Sequence, residues 1–107
     1  LSKEEGLIHW DQPCRGIHDR IRALHPWPGS FCDMTLPGGK DMRLNLYPGE
    51  IGPHLEDDRP EPGTLLGIQD EKLAIACQDR IYLLPRVCPQ GRKPMDAVAF
   101  QNGYLKE

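Results

Sequence analysis

The chain has 107 residues, 38% of them hydrophobic, with 11 Gly, 11 Pro and a net charge of −3. That length holds one core rather than two, and Gly with Pro, roughly a fifth of the residues, marks a turn-rich folded domain rather than a disordered one. No apolar run reaches the ~20 residues of a membrane span, no charged-then-apolar leader precedes a cleavage site, and the acidic balance argues against DNA, which calls for a broad basic face.

The first six residues, Leu1-Ser2-Lys3-Glu4-Glu5-Gly6, are charged and begin without Met. They are expected to be the end of an interdomain linker (residues 1–6) ahead of a domain spanning 7–107. Leu7-Ile8-His9-Trp10 reads as extended. Asp11 is placed to cap a helix with Pro13 in its first turn, where a missing N–H costs nothing. Cys14, Ile17, Ile21 and Leu24 then recur at helical spacing and predict an amphipathic helix near residues 12–25. Arg15, His18 and Arg22 fall on its polar face. Pro26 stops the helix, and Pro26-Trp27-Pro28-Gly29 predicts a rigid turn.

Strands are predicted over Ser30–Leu36 and Met42–Tyr47, around a turn at 37–40. The proline- and glycine-rich residues 48–63 read as a long exposed loop. A hairpin follows, 63–69 against 73–77, then a turn at Gln78-Asp79-Arg80 and a strand over Ile81–Leu84. Pro94 is placed to start a short final helix carrying Met95, Val98 and Ala99, with Gly103 ending it. About five short strands between two helices predict a mainly β chain with helices (α+β), a small OB-like antiparallel barrel that closes its own edges.

Cys14, Cys32, Cys77 and Cys88 form no Cys-x-x-Cys and have no histidines at finger spacing, so no zinc site is expected. Cys14 and Cys77 fall on apolar faces and read as buried free thiols, which points to a cytoplasmic protein. No nucleophile, base and oxyanion-donor set can be assembled, so the chain is expected to be non-catalytic by itself.

Six residues are candidates for contact with a substrate or RNA. Arg86, Arg92 and Lys93 cluster around Gly91 and are suited to phosphate; a solvated surface is the plainer reading. Trp27 between two prolines is either a stacking platform for a nucleobase or, as preferred here, a cover over the mouth of the core. Arg22 either meets an acid at a domain seam or is simply solvated. Lys3 is a weaker candidate, because Glu4 and Glu5 sit beside it. His18 with Arg22 one turn on is a possible phosphate pair, though a polar helix face explains both.

The ordered set Leu1-Ser2-Lys3-Glu4-Glu5, Ile8-His9-Trp10, Ile17 to Ala23, Pro26-Trp27-Pro28-Gly29 and Gln90-Gly91-Arg92-Lys93-Pro94-Met95 resembles the C-terminal domain of folate-dependent formyltransferases, methionyl-tRNA formyltransferase above all. The resemblance runs from residue 1 to about 103. It implies an OB-like barrel that takes no cofactor itself, following an N-terminal catalytic domain that uses 10-formyltetrahydrofolate. It implies also a role in holding initiator tRNA against that domain. A structural domain of a sugar-nucleotide or other small-molecule formyltransferase, or a stand-alone interaction module, are the alternatives. Gln78-Asp79-Arg80 stands where the family usually carries Gly-Asp-Gly, so either the left-handed turn expected of Gly is made otherwise or the turn differs.

Overall fold

Cys14, Ile17, Ile21 and Leu24 are all buried, and helix α1 (Cys14–Leu24) is built on that stripe. The computed structural model describes residues 3–106, with side chains from Glu5 to Lys106. A 3₁₀ turn at Lys3–Gly6 precedes Leu7, which forms a parallel bridge with Phe31. Of the expected linker, Leu1 and Ser2 lie outside the described residues.

The helix is capped differently from the prediction. No side chain of its own segment caps it. Asp79, distant in sequence, accepts the Cys14 N–H at 2.9 Å through Oδ1. A carboxylate at that end also suits the helix dipole. The Gln78–Arg80 turn thus differs from a glycine turn: the Cys77 N–H donates to the Arg80 carbonyl at 2.9 Å, and Asp79 is left facing the helix start.

Among the described residues eight strands form two four-stranded antiparallel sheets, so the mainly β class with helices holds. The edges expected to close into one barrel stay open as the edge strands of the two sheets. The first sheet has the order β1 (Ser30–Thr35), β2 (Asp41–Leu46), β7 (Arg86–Pro89), β8 (Met95–Asp96). The second has the order β3 (Glu50–His54), β6 (Arg80–Leu84), β5 (Lys72–Ala76), β4 (Leu65–Gln69). α1 packs on β3 and β6. Ile17 and Ile21 join Leu44, Leu46, Leu73, Ile75, Tyr82 and Val87 in one core.

Two corrections follow from strand pairing. The expected loop over 48–63 contains β3, which pairs with β6 through Ile51↔Tyr82 and His54↔Arg80. Pro53 is tolerated because β3 is an edge strand with a register shift between Ile51 and His54. Gly49 lets the chain approach β6 closely, since any Cβ there would collide with the Leu83 carbonyl oxygen. The second correction concerns the C-terminal end. Met95 belongs to β8, paired with Val87, and not to a helix starting at Pro94. The helix α2 is Ala97–Phe100, capped by Asp96, whose Oδ1 accepts the Ala99 N–H at 2.7 Å. It continues as a π turn over Gln101–Leu105, and it buries Ala97 and Phe100 while Val98 stays exposed.

Both β2–β3 and β6–β7 leave one sheet and enter the other over very short connections, residues 47–49 and Pro85. Leu46 pairs with Val87 on one side of this corner, and Glu50 with Leu83 on the other. Strands that change sheets together in this way turn a corner of the core. Tyr47 and Arg86 sit at that corner.

Candidate nucleic-acid interface

Arg86 opens β7, and its guanidinium lies 5.4 Å from the centre of the Tyr47 ring, within cation–π range. His25, the residue after α1, meets the same ring edge-on at 6.0 Å and 81°. Burial, then the neighbouring Cys88 thiol, pushes the Tyr47 phenol up, with Arg86 pulling the other way. Tyr47 therefore stays a neutral aromatic surface between an arginine and a histidine. His25 and Tyr47 were not among the sequence candidates. An aromatic at the end of an alternating strand, directly before Pro48-Gly49, was the available signal.

The Pro26–Gly29 turn is closed by the Gly29 N–H donating to the Leu24 carbonyl at 2.8 Å. Trp27 lies in it, 81% exposed. The preferred expectation that it covers the core is therefore corrected: Trp10, at 7% exposure, is the indole that joins the core. Trp27 stays in solvent in the turn that follows the end of α1.

Arg22 is exposed in the last turn of α1, where a cation complements the helix dipole. His18, one turn earlier, places Nδ1 2.7 Å from the Tyr82 phenol oxygen, which also accepts the Gly49 N–H at 2.7 Å. The phenol proton is then free to go to Nδ1, which leaves His18 neutral with its own proton on Nε2. Burial, reinforced by Arg22, holds the His18 pKa below its ordinary value. Burial likewise pushes the Tyr82 phenol up to about 12.

Arg92 and Lys93 are exposed in the turn between β7 and β8. They lie past the far end of β7 from Arg86, about 10 Å along at ~3.3 Å per residue. The sequence cluster is thus divided into Arg86 at the corner and an Arg92–Lys93 tip. The Lys3 side chain lies outside the described residues. Among the described residues, neither Arg22, Arg86, Arg92 nor Lys93 forms an ion pair.

A broad groove of about 1360 Å³ lies at the hairpin end of β1 and β2, with Asp11, Asp33, Asp41 and Glu61 among its lining. Arg43 is its arginine, and Asp33 engages it at 2.9 Å. Its acidic rim does not suit phosphate. Among the described residues, no three His, Cys, Asp or Glu side chains gather as metal ligands. Cys14, Cys32 and Cys77 are buried free thiols and Cys88 is half-buried; burial pushes the Cys32 thiol up to about 12. No described helix is long and apolar enough to cross a membrane.

The chain is a small two-sheet domain with cations exposed beside an aromatic pair. The family described as formyl transferase, C-terminal domain, matches residues 1–105, and this chain belongs to that family. It is 40% identical over 105 residues to a methionyl-tRNA formyltransferase of Nitratidesulfovibrio vulgaris, covering 98% of this chain and 32% of that protein. A methionyl-tRNA formyltransferase of Granulibacter bethesdensis is 36% identical over 104 residues, 97% of this chain and 30% of the relative. The chain thus spans about a third of the length of these relatives. Among solved structures, a variant of HypX from Aquifex aeolicus shares the fold, with a TM-score of 0.67 and 17% identity over 100% of this chain and 19% of that one. The family resemblance read from the ordered motifs is borne out.

Proposed function

We propose that this chain is a non-catalytic accessory domain that helps hold initiator tRNA for formylation by an N-terminal catalytic domain using 10-formyltetrahydrofolate. The observation that carries this reading is the likeness, along nearly the whole chain, to relatives named methionyl-tRNA formyltransferase. The exposed, unpaired cations Arg22, Arg86, Arg92 and Lys93 support it, with Lys3 as a further candidate. Contacts of this kind position an RNA through its phosphates without reading its sequence. Such a domain works in the cytoplasm and needs no metal. The net charge of −3 favours a second reading, a structural domain in a small-molecule formyltransferase.

The test is a tRNA titration on the complete enzyme that carries this domain, at two salt concentrations. Replacing Arg92 and Lys93 together by Ala should weaken binding about equally for different tRNAs. It should also flatten the log-affinity against log-salt slope by about one to two units, at ~0.7–0.9 per phosphate contact. An unchanged affinity and slope would leave the tip as ordinary solvated surface. A complete enzyme that binds no tRNA would establish the second reading instead.

A further inference from the structure

An indole left 81% exposed in a closed turn is unusual for so small a chain, whose other tryptophan is buried. Tryptophan is enriched at contact surfaces, where a large rigid ring supplies area at little cost in conformational freedom. Proline on both sides and the Gly29 to Leu24 hydrogen bond confine the Trp27 backbone, so little conformational freedom remains to be lost when a partner lands on it. Immediately before that turn, His25 meets the Tyr47 ring edge-on, and the Arg86 guanidinium lies over the same ring. Arg22 stands one turn back on α1. Asp96 faces Arg86 across the β7–β8 ladder, but among the described residues neither Arg86 nor Arg22 forms an ion pair. Both arginines are therefore available to an outside anion.

We infer that the Pro26–Gly29 turn and the Tyr47–Arg86 corner form a seat for an unpaired nucleotide, with its base on Trp27 and its phosphate near Arg86 and Arg22. An aromatic face beside cations is the chemistry that takes single-stranded nucleic acid, because every base has a face to stack and every link a phosphate to neutralise. Duplex RNA keeps its bases stacked on one another and offers none to Trp27. The inference rests on the RNA-binding reading above, and it adds that one base must be unstacked.

The experiment uses the 107-residue chain and a labelled single-stranded octaribonucleotide of mixed sequence, followed by anisotropy at low salt. Inorganic tripolyphosphate and the same octamer in duplex form are the competitors. Trp27→Ala should weaken binding roughly tenfold, Trp27→Tyr should restore most of it, and Arg86→Gln should cost several-fold and lower the salt dependence. The exposure of Trp27 predicts an unchanged melting temperature for Trp27→Ala, which separates loss of binding from loss of fold. The single strand should quench tryptophan emission while tripolyphosphate does not. Equal affinity for Trp27→Ala, equal competition by duplex, or no binding of the octamer would each overturn the seat. If the complete enzyme loses tRNA affinity with the Arg92 and Lys93 replacements but not with Trp27→Ala, the seat fails and the tRNA reading stands. If the octamer binds through Trp27 while the complete enzyme ignores tRNA, the seat stands and the tRNA reading fails.

Discussion

At its N-terminal end α1 is fastened on several sides: the Cys14 amide to Asp79 at 2.9 Å, its thiol to the Ile81 carbonyl at 3.8 Å, and the preceding Gln12 carbonyl to the Gln78 N–H at 3.2 Å. At its C-terminal end the same helix runs into an exposed turn carrying His25 and Trp27. One end is tied to a distant turn through the buried Cys14; the other displays aromatic and cationic groups to solvent. The contrast separates the helix from the turn that follows it. Cys14, Ile17, Ile21 and Leu24 hold the core along the whole helix, while Arg22 and the following turn stand exposed. Changes at the fastened end should move stability with little effect on binding, and changes at the displayed end should do the reverse.

The largest effect is expected at the centre of the apolar stripe. Ile21→Ala removes a fully buried side chain and should lower unfolding free energy by about 2–5 kcal/mol. A denaturant titration measures this, and a change well below 1 kcal/mol would break the contrast by showing that the helix is not held by its core face. Asp79→Ala should cost less, about 0.5–2 kcal/mol, as the loss of a helix cap does. A partial loss of helical circular dichroism would sharpen the picture; a neutral substitution would show that water caps the helix as well as Asp79 does.

The smallest effect lies between the two ends, at His18. Its folded pKa is below the ordinary value, so the unfolded chain takes up the proton first as pH falls. The stability from neutral His18 is complete above the unfolded pKa, about 6.5. It is lost as pH drops from there toward the lower folded value. His18→Gln should remove that part of the slope between pH 7 and pH 5 in a series of unfolding midpoints. An identical pH profile in the variant would show that the Tyr82 contact does not depend on the neutral ring.

Much of the frame was legible before any tertiary information. The spacing of Cys14, Ile17, Ile21 and Leu24 determined both the helix and its buried face, because a helix repeats locally every 3.6 residues. Alternation likewise placed β1, β2, β5 and β6 within a residue or two, and the ordered motifs carried the family. What depended on tertiary structure were matters of which distant residues meet. Asp79 displaced Asp11 as the source of the helix cap because the β5–β6 turn is brought against Cys14. β3 formed among prolines because β6 offered its edge, and Met95 joined a strand because Val87 lay opposite. The candidate site shows the same division. Residue type marked Trp27 and Arg86 as candidates, whereas the exposure of Trp27 and the meeting of Arg86 with Tyr47 arose at the end of a helix and a corner between sheets. Local patterns encode periodicity; burial and long-range contact are properties of the closed chain.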